Sequence, residues 1–178
     1  LTFSNRIFDL VAAEIDVAIR VTTTPPDALV ARDLGPVDWA LCASPRYLQA
    51  HGTPQQPEDL LKIDMVSVNS HDQRLPLELF DGHETRTLML RPRLQTEDMM
   101  FLKRATLAGI GCALLPLYSV QQELDNGELQ RLLPSQRARV SAWGDQLYLL
   151  TAPNLYPTLA TRTLIEFLHS RLQVLLPI

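Results

Sequence analysis

The residues of this chain that could carry covalent or metal chemistry are four histidines, two cysteines and a scatter of serines, and their spacing argues against such chemistry. His51, His71, His83 and His169 fall singly in loops and at helix ends, with no His-x-x-x-His or His-Glu-x-x-His pair to offer a metal from one helix face. No Gly-x-Ser-x-Gly elbow and no phosphate-binding glycine loop occurs, and Gly109-Ile-Gly111 is too short for a dinucleotide fingerprint and precedes a strand instead of following one. Ser44 or Cys42 as a nucleophile would need a positioned base that the sequence does not supply. Cys42 and Cys112 each sit inside an apolar run, the setting of buried free thiols. The expectation is therefore a protein that is not an enzyme and has neither a metal nor a cofactor.

Noncovalent recognition is better served. Arg20 ends a short apolar strand over residues 17–21 and can hold a ligand carboxylate or pair with an acid such as Asp16. Thr22, Thr23 and Thr24 follow it and offer hydroxyls to a ligand or to solvent. Ser67, Asn69 and Ser70 close another strand and can face the same ligand or act as turn residues. Thr96 stands before a helix whose free N–H groups and dipole attract an anion, or it serves only as the helix cap. Met99, Met100 and Phe101 can wall an apolar ligand or belong to the core.

The elements that must position these residues read clearly between residues 95 and 116. Thr96 or Asp98 can cap a helix with Leu102, Ala105 and Ala108 on one face, Gly109 ends it, and residues 110–115 form an unbroken apolar strand closed by Pro116. Such a strand is buried on both faces, which predicts a parallel sheet between helices, with small molecules bound at its carboxyl edge. Upstream, residues 7–15 predict an amphipathic helix, residues 29–34 and 37–43 two strands around Gly35-Pro36, and Ser44-Pro45 a capped helix that stops at His51-Gly52. Residues 53–61 form a proline-rich connector, residues 64–69 a strand, and residues 77–80 and 85–90 a hairpin about Asp81-Gly82. Residues 118–124 predict a helix, 129–133 a strand, 137–145 a charged loop and 146–152 a buried strand. A last helix from Pro157 carries Leu164, Ile165, Leu168, Leu172 and Leu175 on a wide apolar face.

The bulk properties set the class. With 178 residues, 46% of them hydrophobic, the chain can bury a real core. A formal charge of −4 lacks the basic footprint of a self-sufficient nucleic-acid binder. No apolar run approaches the roughly 18 residues that span a bilayer, and no export signal is seen, so a cytoplasmic location with no membrane contact is expected. The start, without methionine or a first strand, looks like that of a fragment.

The order of certain blocks adds a family likeness. Residues 8–20 end in Asp16-Val-Ala-Ile-Arg20, residues 29–35 read Leu29-Val-Ala-Arg-Asp-Leu-Gly35, and residues 41–54 run from Leu41-Cys-Ala-Ser-Pro45 to His51-Gly-Thr-Pro54. Pro57-Glu-Asp-Leu60, Leu107-Ala-Gly-Ile-Gly-Cys-Ala-Leu-Leu-Pro116 and Gly127-Glu-Leu129 follow. Over nearly its whole length the chain resembles the effector-binding domain of LysR-type transcriptional regulators, departing from it where Ala13 and Glu14 stand in place of a frequent Glu-Gly. The resemblance implies an α/β fold of the type 2 periplasmic-binding-protein-like class, with two Rossmann-like lobes joined by two crossover strands and a small molecule held between them. The first lobe would comprise residues 1–41 and 149–178, incomplete at its start, and the second residues 42–148, with hinge strands near residues 41–43 and 149–151. The effector-binding set implied is Arg20, Thr22, Thr23, Ser44, Ser67, Asn69, Ser70, Thr96, Glu97, Met99, Leu115 and Thr151. The partners implied are a small-molecule effector, an organic anion among the candidates, a second copy or three further copies of the chain, and DNA through a winged helix-turn-helix that this chain lacks. The alternative is a solute-binding module of the same fold.

Overall fold

The computed structural model of the chain describes residues 10, 15–68, 73–153 and 158–175, the last three as backbone only. In chain order the strands and helices are β1 (Ala18–Thr22), β2 (Val30–Pro36), β3 (Trp39–Ala43), α1 (Pro45–His51), β4 (Met65–Val68), β5 (Leu75–Phe80), β6 (Thr85–Leu90) and β7 (Pro92–Thr96). They continue with α2 (Met99–Leu107), β8 (Ala113–Pro116), α3 (Leu117–Asp125), β9 (Gln130–Arg131), β10 (Arg137–Arg139), β11 (Gln146–Thr151) and α4 (Leu159–Leu175). Short 3-10 turns occupy Pro57–Lys62 and Ser141–Trp143. The expected helix over residues 7–15 lies almost wholly outside the described residues.

Two compact units divide the chain, one formed by Arg6–Val37 with Ala142–Ile178 and the other containing Asp38–Ser141. The chain thus passes between units before β3 and before β11, upstream of the expected positions at residues 41–43 and 149–151. The reason is pairing: β3 is hydrogen-bonded to β8 and β9, and β11 lies between β1 and β2, so each strand belongs entirely to one unit.

In the first unit β1, β11 and β2 form an antiparallel sheet with β11 at its centre. Leu147, Leu149 and Leu150 are buried, which is why the most apolar strand takes the middle position. Asp33 Oδ1 accepts from the Gly35 backbone N–H at 2.8 Å and from Gln146 Nε2 at 2.6 Å, fixing the turn out of β2 beside the start of β11. On α4 the apolar face is narrower than expected: Ile165 is buried, whereas Leu164 is 47% exposed.

In the second unit, β8, β3 and β9 are antiparallel neighbours, β4 and β7 are parallel, and an isolated parallel bridge between Met65 and Cys112 connects these two groups. Val66 N–H donates to Cys112 O at 2.7 Å and Cys112 N–H to Asp64 O at 2.9 Å. The core contains Val66, Leu102, Ala105, Ala113, Leu115, Val120 and Leu129, with α2 supplying two of them. The parallel sheet expected around residues 110–115 is met on one side only, where Cys112 bridges Met65 in parallel. All four residues of β8 are buried, as the apolar run requires, but the ladder partner of β8 is antiparallel β3. Continuous hydrophobicity reports burial on two faces and carries no information about strand direction.

Two strands go beyond the expected elements. β7 begins with Pro92, acceptable at the first position of a strand, and alternates half-buried with exposed residues. β10 forms within the expected charged loop because Arg139 lies opposite Glu78 on β5 and donates to it at 2.7 Å, so the charges belong to a ladder.

Candidate functional site

The parallel pairing of β4 and β7 sets Ser67 opposite Gln95 and Val68 opposite Thr96, so the carboxyl ends of both strands coincide, and α2 starts three residues after β7. Asp98, not Thr96, caps this helix. Its Oδ1 accepts from Met100 N–H at 2.8 Å and Phe101 N–H at 3.2 Å. Thr96 Oγ1 accepts from Asp98 N–H at 3.1 Å and so shapes the turn leading into the cap. The consequence is electrostatic: a carboxylate already faces the positive end of α2 and uses two of its N–H groups, so the anion site expected at this helix start is occupied by the chain itself. The Thr96 hydroxyl hydrogen remains available to donate.

Among the other expected residues on this unit, Ser67 is fully buried and donates its hydroxyl to Val68 O at 3.1 Å. Glu97 is exposed beside Thr96, and Met99 is half-buried against the core. Asn69 and Ser70 lie outside the described residues. Two members of the expected set do not join this edge. Leu115 is 1% exposed and belongs to the core. Ser44 is buried as the cap of α1, accepting from Tyr47 N–H at 3.4 Å. Because β3 runs against β8, and β8 runs with β4, the end of β3 that carries Ser44 lies at the opposite edge from Val68 and Thr96.

In the first unit Arg20 and Thr22 share one side of β1, opposite Tyr148 and Gln146 respectively. Thr22 Oγ1 donates to Thr24 O at 3.0 Å, Thr23 is exposed, and the Gly144 backbone lies directly against both threonines. Thr151 is the exception: it pairs with Val30 at the far end of β11, so the length of that strand separates it from Thr22.

Three of the titratable residues weighed as chemistry, His51, Cys42 and Cys112, have structural settings. His51 stacks on Tyr47 with ring centroids 4.2 Å apart and places Nδ1 3.0 Å from Tyr47 O, while the Tyr47 hydroxyl accepts from Asp64 N–H at 2.7 Å. Cys42 and Cys112 are buried free thiols, each pushed up to about 12 by burial. Thiolate is the reactive form, so a disulfide reagent at pH 8 is expected to label neither cysteine in the folded chain and both in denaturant. Rapid labelling of either thiol in the native state would contradict this placement. No group of three or more His, Cys, Asp or Glu side chains among the described residues could hold a metal ion.

Comparison with known proteins agrees with the architecture. Residues 1–173 match the family described as the LysR substrate binding domain. This chain belongs to that family. AaeR of Escherichia coli K12, an HTH-type transcriptional activator, is 37% identical over 127 residues, covering 71% of this chain and 41% of AaeR. The Klebsiella pneumoniae protein named probable HTH-type transcriptional regulator LtrA is 27% identical over 98% of this chain and 56% of its own length. Full-length AphB of Vibrio cholerae, a virulence activator, superimposes with a TM-score of 0.77 at 26% identity, over 96% of this chain and 56% of AphB. The regulatory domain of CrgA from Neisseria meningitidis, 22% identical with a TM-score of 0.75 over 91% of this chain and 78% of that one, shows the fold alone. The LysR domain thus has a type 2 periplasmic-binding-protein-like fold, its matched relatives are regulators and not enzymes, and it spans about half the length of those curated relatives.

One further pair stiffens the LysR domain behind the Thr96 edge. Lys103 Nζ on α2 lies 2.7 Å from Glu123 Oε1 and 2.7 Å from Ser119 O on α3, with the lysine side chain 20% and the glutamate side chain 14% exposed. The hydrogen bond from Lys103 holds the Glu123 carboxyl below the usual carboxylate range. A lowered folded-state pKa contributes stability above the ordinary value near 4.3, and that contribution is lost as pH falls through the folded value. Lys103→Met is therefore expected to cost about 1–2 kcal/mol at pH 7, with the difference from wild type shrinking as pH falls from 7 to well below the ordinary carboxylate value near 4.3. Urea titrations at both pH values test this, and a difference independent of pH would sink it. No sequence signal announces the pair, because its members sit on separate helices.

Proposed function

We propose that this chain is the effector-sensing regulatory domain of a LysR-type bacterial transcription factor. The observation carrying the proposal is the family match over residues 1–173, with transcriptional regulators as relatives that are about twice as long. In this reading the longer protein binds DNA through a separate winged helix-turn-helix, acts in the cytoplasm as a homodimer or homotetramer, and changes the geometry of that oligomer when a small organic effector binds. A ligand that binds two conformations unequally shifts their populations by that difference in affinity.

In the unit that holds β4 and β7 the effector contacts are assigned to the carboxyl edge of those strands, through the Thr96 hydroxyl with Glu97 and Met99 following it in the chain; in the unit that holds β1 the candidates are Arg20, Thr22 and Thr23. Thr96 is an open donor beside a half-buried methionine, which suits a ligand with a polar acceptor and an apolar body. A ligand bound by the native state alone raises the melting temperature with its concentration. The test is a thermal-shift screen with small carboxylates, aromatic acids, amino acids and neutral analogues. One class is expected to give a saturable rise. Thr96→Val should then weaken that ligand by about 1–1.5 kcal/mol, and Thr96→Ser should restore it. Silence across the panel, or affinity indifferent to Thr96→Val, would refute the assignment.

A further inference from the structure

The open end of the β5–β6 hairpin carries two cations. Its ladder runs from Phe80 opposite Thr85 to Leu75 opposite Leu90, and Arg74 and Arg91 come one step beyond that last rung. Leu75, Leu77, Leu79 and Leu90 are buried, so alternation puts Arg74 and Arg91 on the other face of the hairpin, with Met89 at 48% exposure. Like charges at facing positions of two strands repel. Among the described residues the nearby carboxylates do not relieve this, because Glu58 and Glu84 engage Arg86, Asp59 engages Lys62, Asp64 engages Arg93 and Glu78 engages Arg139. Among the described residues neither Arg74 nor Arg91 has an ion-pair partner.

Arg74 and Arg91 line a cavity of about 330 Å³ together with Leu60, Leu61, Ile63 and Met89. Leu61 is 58% exposed there, on the 3-10 turn that faces β6. The volume falls within the range of small-molecule pockets. Met65, at the first position of β4, also contributes to the wall, so the cavity lies at the opposite end of that strand from Val68 and the proposed effector edge.

We infer that this cavity is a binding site for an amphipathic organic anion, a carboxylate bearing an apolar chain or ring, distinct from the edge at Thr96. Its carboxylate lies between the two guanidinium forks, which match that group's planar geometry, and its apolar part covers Leu61 and Met89. An inorganic anion would leave those side chains in water, and a neutral apolar compound would leave the arginines facing each other without a counter-charge.

The test is isothermal titration of the whole chain with octanoate, phenylacetate, 1-octanol and inorganic phosphate. At least one of the two carboxylates should bind saturably, and at least tenfold more tightly than octanol or phosphate. The double substitution Arg74→Gln with Arg91→Gln, both on exposed side chains, should weaken it at least tenfold, whereas Thr96→Val should leave it unchanged. No saturable binding of either carboxylate, equal binding of octanol, or binding that survives the double substitution would overturn the inference. Loss of binding with Thr96→Val would move the carboxylate to the effector edge and overturn it equally.

Discussion

Gly111→Ala is expected to lower stability by about 3 kcal/mol, the upper end of the usual cost of overpacking a well-filled interior. A Cβ at this position would come 2.5 Å from Asp64 O and 2.9 Å from Val66 Cγ2. Asp64 O is backbone and accepts the Cys112 N–H, so it cannot move away without breaking the bridge that joins β4 to β8. The damage passes directly to the proposed effector edge, because β7 is attached to the second unit through β4. Trp39, buried in that unit, is the probe for its unfolding once Trp143 is replaced by Phe. An unfolding free energy from urea titration for Gly111→Ala within about 1 kcal/mol of wild type would mean that the strands are less closely joined than described.

Gly144→Ala should cost a similar amount, about 3 kcal/mol, by a different combination of causes. Its φ of +79° places an alanine in the left-handed region, which costs roughly 1–2 kcal/mol. The added methyl would also drive into the backbone of Thr22 and Thr23, where no side-chain rotation can relieve it. Gly127→Ala separates the two effects, since Gly127 has the same φ of +79° with nothing within 4 Å of the added carbon. That control is expected to lose only about 1 kcal/mol. Fluorescence of Trp143 in a Trp39→Phe background follows the first unit for Gly144→Ala, and equal losses for the two glycine substitutions would show that backbone strain alone is at work.

The local elements of this protein were legible in the amino-acid sequence wherever a residue has one strong physical preference. Ser44-Pro45 starts α1, with serine accepting from the first turn and proline where its missing N–H costs nothing. Gly109 turns out of α2 with a φ of +77°, and Asp81-Gly82 closes the β5–β6 hairpin. Burial was equally legible: residues 113–116 are apolar throughout and buried throughout. The order of such blocks along the chain was enough to indicate the family.

Tertiary structure decided what depends on how distant segments meet. The direction of β8 relative to β3 follows from the path of the chain through the second unit, and the same apolar run would suit either direction. That choice sent Ser44 to the edge opposite Thr96, and the antiparallel register of β1 with β11 parted Thr151 from Thr22. Thr96 and Asp98 are both good caps by residue type, and only the backbone entering α2 from β7 let Asp98 take the N–H groups. The Lys103–Glu123 pair and the meeting of Arg74 with Arg91 across a hairpin end arise in the same way. Periodicity and capping act over a few residues and leave a mark on the sequence, whereas strand direction, register and charge pairing are long-range and are settled when the segments pack.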